Sequence, residues 1–161
     1  NSGIAVIIDC GEFDNIHPTD KETPGVRLAY QALGKVYKTE NEFDNMYIDK
    51  VEFLQDRLRV SFVNTYGQIL YRYVDDKTFT ARLKQVEKPA IDENSNEICG
   101  FEISEDGENF EKADVEVDGD VFVLSSKDVK EPKYIRYAFT DFGVANVYNK
   151  AGFPLAPFRS K

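Results

Sequence analysis

The single histidine of this 161-residue chain, His17, stands in the run Asp14-Asn15-Ile16-His17-Pro18-Thr19-Asp20-Lys21. Imidazole is the side chain best suited to take and return a proton near neutral pH. A carboxylate three positions ahead, on the same loop, can hold one ring nitrogen so that the other faces a nucleophile as acceptor. Pro18 keeps His17 out of helical geometry, so the pair belongs to a loop. Asp9 and Asp20 compete with Asp14 for the orienting role. Asp9 ends the preceding apolar run and can approach the histidine in space; Asp20 is placed to brace the loop with Lys21 or to cap the next helix. The plainer reading is an exposed loop histidine beside an Asx turn at Asp14, and the spacing alone does not separate the two.

The elements that must position this loop can be read on either side of it. Ile4-Ala5-Val6-Ile7-Ile8 is an apolar run of strand length, and Asp9-Cys10-Gly11-Glu12 opens the loop. A helix follows, with Thr23 as N-cap, Pro24 in the first helical position, and Val26, Ala29, Leu33, Val36 and Tyr37 on one face. It should end near Tyr37 or Lys38, before the polar Thr39-Glu40-Asn41-Glu42. Arg27, in the first turn, is expected to reach back and hold loop carboxylates in a charge-assisted, two-pronged contact. A strand, a loop and a helix with one apolar face each cannot bury themselves alone. They read as the terminal β-α unit of an open α/β sheet whose other strands lie outside this chain.

From about Tyr47 the period becomes two. Val51/Phe53, Leu58/Val60/Phe62, Ile69/Tyr71/Tyr73, Phe101/Ile103, Val115/Val117, Val121/Val123 and Ile135/Tyr137/Phe139 alternate with mostly polar residues. Turns fall at Asn64-Thr65-Tyr66-Gly67, Asp75-Asp76-Lys77, Glu105-Asp106-Gly107 and Asp118-Gly119-Asp120. Glu87 to Glu97 reads as the longest loop, and Phe153 to Phe158 as an extended C-terminal strap. The expected fold is mainly β: an antiparallel, jelly-roll-like β-sandwich over residues 45–161, preceded by the strand-loop-helix fragment over residues 1–44. Tyr47, Phe53, Tyr66, Tyr71, Tyr73, Phe79 and Tyr137 are read first as cross-strand packing aromatics and second as a platform for stacking sugars.

A base needs a nucleophile, and none is legible. Ser2, Ser61, Ser95, Ser104, Ser125, Ser126 and Ser160 all lack Gly-x-Ser-x-Gly or Gly-Asp-Ser surroundings. Cys10 lies seven positions from His17 but ends an apolar run, where a small buried thiol is the ordinary reading. Whether Cys10 and Cys99 pair is not a matter for sequence. One histidine and two distant cysteines do not form a zinc site of familiar spacing. A net charge of -9 disfavours nucleic acid and anionic membrane surfaces. No segment approaches the ~20 apolar residues of a membrane helix.

Two blocks carry a family resemblance. Asp14-x-x-His17-Pro18-x-Asp20-Lys21, followed by Gly25-x-Arg27-Leu28-Ala29, resembles the last catalytic block of the sialate O-acetylesterases, within the SGNH (GDSL-like) hydrolases. Pro132-x-x-Ile135-Arg136-Tyr137-Ala138-Phe139 and Asn146-x-Tyr148-Asn149-x-x-Gly152-x-Pro154-Leu155-x-Pro157-Phe158-Arg159 resemble that family's closing segment. Phe153 and Leu155 depart from the family's more usual Leu and Ala. Gly67-Gln68 is similar to the Gly-Gln-Ser block around the family's nucleophile, but Ile69 occupies the serine position.

The resemblance implies that His17 and Asp14 are two members of a Ser-His-Asp triad. The serine would then lie on an upstream part, which is the expected partner together with an O-acetylated sugar. It implies no metal or cofactor, a secreted or periplasmic setting, and no activity from this chain alone. The chain is expected to begin mid-protein. The alternative is a β-sandwich that binds carbohydrate, or serves only as structure, without catalytic duty. An acetylesterase acting on another acetylated glycan would keep the mechanism and change the substrate.

Overall fold

The fold was taken from a computed structural model, which describes residues 2–12, 15–40, 42–71, 97–141, 143 and 145–160. Among the described residues, ten strands and one helix follow in chain order: α1 (Glu22–Lys35), β1 (Tyr47–Phe53), β2 (Leu58–Val63), β3 (Ile69–Tyr71), β4 (Phe101–Ser104), β5 (Glu111–Lys112), β6 (Asp114–Asp118), β7 (Val121–Ser125), β8 (Tyr134–Tyr137), β9 (Val147–Asn149) and β10 (Phe158–Arg159). One four-stranded sheet runs β1-β2-β7-β6 and a second runs β10-β8-β4-β5; β3 and β9 form a separate pair. All these named strand pairings are antiparallel. The chain is mainly β, as its two-residue period requires. Tyr73, Phe79, the Asp75–Lys77 turn and residues 87–96 of the expected loop lie outside the described residues.

The core lies between the inward faces of the two four-stranded sheets. Leu58 and Val60 of β2 and Phe122 and Leu124 of β7 are fully buried, as are Ile103 of β4 and Ile135 and Tyr137 of β8. Phe101 meets Phe122 of the other sheet edge-on at 5.9 Å and Tyr137 of its own sheet at 4.5 Å. Burying each such side chain contributes about 1.5–3 kcal/mol. On β7 the inward pair is Phe122 and Leu124, one residue out of phase with the expected Val121/Val123. Val121-Phe122-Val123-Leu124 is apolar on both faces, so its period cannot reveal which face turns inward; the larger side chains fill the core.

Two buried asparagines and the C-terminal strap tie the layers together. Asn149 donates to the carbonyls of Asp44 and Asn64 and accepts from the Phe153 amide. Asn146 donates to Glu97 O and accepts from Cys99 N. The strap places Leu155 against Met46 in a parallel bridge, held by Met46 N to Pro154 O and Ala156 N to Met46 O. Phe158 and Arg159 then add β10 to the edge of β8.

The N-terminal unit departs from the expectation in three ways. Residues 2–7 belong to no helix or strand and form no sheet ladder with the described residues. The Asn45 side chain takes a strand's place along one edge, accepting from Val6 N and donating to Ile4 O. Second, the N-cap position is Lys21, whose side chain makes no capping bond; the residue before it, Asp20, supplies one, its Oδ1 accepting the Thr23 amide at 2.9 Å, and Thr23 itself lies inside the first turn. Third, α1 turns its polar face inward. Arg27, Gln31 and Gly34 are buried, while Val26, Leu28, Val36 and Tyr37 face solvent. The Phe43 ring fills the space over Gly34, so close that a Cβ there would lie 2.0 Å from it. The helix ends with Lys38 at φ 57° and a bond from Thr39 N to Leu33 O.

Candidate active site

His17 is held by a chain of hydrogen bonds that begins at Glu12. Oε1 of Glu12 accepts both the amide and the hydroxyl of Thr19, at 2.7 and 2.6 Å, and Oε2 accepts the Asn15 side-chain amide at 2.8 Å. Asn15 Oδ1 in turn accepts the backbone N–H of His17 at 2.9 Å. Glu12 and Asn15 also form an isolated antiparallel bridge. The two ends of the loop are thereby drawn onto one carboxylate, and His17 sits exposed at its tip beside Ile16, which is 90% exposed. Asp14 lies outside the described residues.

The competing carboxylates are both engaged elsewhere. Arg27 donates to Asp9 through both terminal nitrogens, at 2.6 and 2.7 Å, and Nη1 also donates to Val6 O at 2.7 Å. This is the two-pronged contact expected of Arg27, made with the carboxylate at the base of the loop. The Arg27 guanidinium keeps its charge although burial opposes it, because Asp9 lies against it. Asp20 caps α1, and the Thr23 amide holds its carboxyl below the usual range.

Among the described residues, no thiol or hydroxyl is hydrogen-bonded to the His17 ring. Both cysteines are free, so they form no disulfide. Cys10 is buried, its sulfur directed to the Ile7 carbonyl at 3.4 Å. Burial, with the negative charge of Asp9, pushes its thiol up to about 11, so near neutral pH it is protonated and a poor nucleophile. Ser104 Oγ serves the Asp106–Gly107 turn, Ser126 Oγ accepts from Asp128 N, and Ser160 Oγ accepts the Ile135 amide. Among the described residues, no group of three His, Cys, Asp or Glu side chains could hold a metal ion.

Of the two residues nominated from sequence, His17 is thus found on a tied loop. Sequence reading missed Glu12, Asn15 and Thr19, which do the tying. The available signal was weak: a Glu with Asn three residues on, inside a loop, is a common turn composition. Of the aromatics, Tyr137 is core. The Tyr66 hydroxyl accepts the amides of Phe43 and Asp44, joining the β2–β3 turn to the segment under α1.

No protein-family model matches the chain, and no curated protein matches it. Six solved chains do match in structure. One is the crystal structure of a carbohydrate acetylesterase from Xanthomonas citri, with a TM-score of 0.78 and 25% sequence identity over 98% of this chain and 32% of that one. The chain thus spans about a third of that enzyme's length. This likeness supports a carbohydrate-esterase relationship.

Proposed function

We propose that the chain is the C-terminal portion of a serine carbohydrate esterase that removes O-acetyl groups from sialic acid or a related sugar. The observation that carries this reading is the structural likeness to a carbohydrate acetylesterase over 98% of the chain. A serine on an upstream portion attacks the acetyl carbonyl, and His17 takes its proton. Asp14 holds the imidazole in the required tautomer and stabilises the imidazolium that forms. The tetrahedral intermediate collapses to acetyl-serine as its bond to the sugar oxygen breaks and His17 gives that oxygen the proton. His17, neutral again, then deprotonates the water that hydrolyses acetyl-serine, releasing acetate and restoring the serine. The upstream portion covers the Ile4–Ile7 segment and the outward face of α1, whose apolar side chains are otherwise left in water. The assembled enzyme works in a secreted or periplasmic setting.

The test is acetyl-ester hydrolysis on an aryl acetate and on O-acetylated sialic acid. The chain alone should be inactive, activity should appear when the upstream coding sequence is included, and His17→Ala in that longer protein should abolish it. Turnover by the isolated chain would require a nucleophile of its own and would overturn the proposal. Activity on acetylated xylan but not on acetylated sialic acid would keep the mechanism and move the substrate.

A further inference from the structure

We infer that Glu12 is a positioning residue for the histidine base, acting through Asn15 and Thr19 rather than on substrate. The inference rests on the esterase reading above and adds to it a residue that neither the resemblance nor the spacing around His17 points to. Four contacts carry it. One carboxylate accepts the Thr19 amide and hydroxyl on one oxygen and the Asn15 amide on the other, and Asn15 passes the restraint to the His17 backbone. Hydrogen bonds to a carboxylate are about twice as strong as those between neutral groups. These bonds restrain the backbone of an exposed histidine, and a base displaced by about 1 Å loses on the order of 10²-fold in rate.

The arrangement has a polarity that can be inverted. In Glu12→Gln, one oxygen remains for Thr19 but an amide NH2 faces the Asn15 NH2, with no acceptor between them. Changing Asn15→Asp as well restores a donor-acceptor match: the Gln amide donates to one Asp oxygen and the His17 amide to the other. A carboxylate acting on substrate from position 12 would not be rescued in this way.

The experiment has two arms. On the isolated chain, 15N relaxation and amide exchange are measured at residues 15–17 and 19 in Glu12→Ala, Glu12→Gln and the Glu12→Gln/Asn15→Asp double variant. The expected result is faster Thr19 and His17 amide exchange in both single variants and recovery in the double; unchanged exchange in Glu12→Ala would overturn the clamp. On the longer, active protein, kcat should fall about 10²-fold in Glu12→Ala and about 10-fold in Glu12→Gln. KM, melting temperature and the pH profile should hold, with kcat recovering in the double variant. Full kcat in Glu12→Ala, where His17→Ala is dead, would sink the positioning role while leaving the esterase reading intact. If His17→Ala retains activity, the esterase reading falls and this inference with it, whatever the exchange data show.

Discussion

Arg27 grips Asp9 through two parallel hydrogen bonds and reaches past it to the Val6 carbonyl, so one guanidinium fastens α1 to the base of the histidine loop. Both side chains are largely out of water. Removing one partner leaves an uncompensated charge, so Arg27→Met should lower stability by about 3 kcal/mol. Arg27→Lys keeps the charge but not the fork and should cost less, about 1–2 kcal/mol. Urea denaturation of the isolated chain measures both; equal losses would mean that the fork geometry contributes nothing.

The helix cap makes a second prediction. Asp20→Ala removes the acceptor for the Thr23 amide and should cost about 1 kcal/mol, whereas Asp20→Asn should be nearly neutral. The Asp20 carboxyl is held below its ordinary value, so its contribution is present above the unfolded carboxylate range and is lost as pH falls through the lowered value. The stability gap between wild type and Asp20→Ala should therefore narrow on acidification, leaving what the neutral carboxyl oxygen still contributes as acceptor. A gap that does not change with pH would place the effect elsewhere.

Gly34 reverses the usual rule for exposed helices. Ala in place of Gly inside a helix ordinarily stabilises by roughly 1 kcal/mol. Here the new methyl would meet the Phe43 ring at 2.0 Å, so Gly34→Ala should destabilise, by about 1–3 kcal/mol. Pairing it with Phe43→Leu should recover part of the loss in thermal melts. A melting temperature raised by Gly34→Ala alone would contradict the packing described.

Cys10 and Cys99 are both free; Cys10 is buried and Cys99 half-buried. In Cys99→Ser, alkylation of the remaining Cys10 by iodoacetamide should stay slow through pH 9 and accelerate only towards pH 11, where the thiol ionises. Because the folded value lies above the unfolded one, the associated stability is complete below about pH 9 and lost as pH rises towards 11. Fast labelling at pH 8 would show that the site is open.

The outward face of α1 provides the last prediction. Val36 and Tyr37 are 51% and 72% exposed. Val36→Lys and Tyr37→Lys should leave the isolated chain's stability within about 0.5 kcal/mol and suppress its self-association in sedimentation. The same substitutions in the longer protein should cost several-fold in soluble yield or activity. Unfolding of the isolated chain by either would show that this face is already in use.

What could be read in advance was what local chemistry imposes. A period of two with Asx and Gly turns specifies antiparallel strands whatever they pack against. The turn at Asp118-Gly119-Asp120 does join β6 to β7, with Gly119 at φ 63°. The loop character of His17 followed from Pro18, and Arg27's reach towards a loop carboxylate from its place near the start of the helix.

Other outcomes depended on which surfaces meet. The apolar stripe of α1 was legible as a stripe, but not that it would face solvent while Arg27, Gln31 and Gly34 pack inward; burial depends on which partner is present, and the side chains cannot encode that alone. The phase of β7 was hidden because both its faces are apolar. Glu12 was silent for a different reason: a hydrogen bond spanning seven residues of irregular loop has no period or spacing rule, and only the folded path of the chain brings Thr19 and Asn15 to the same carboxylate.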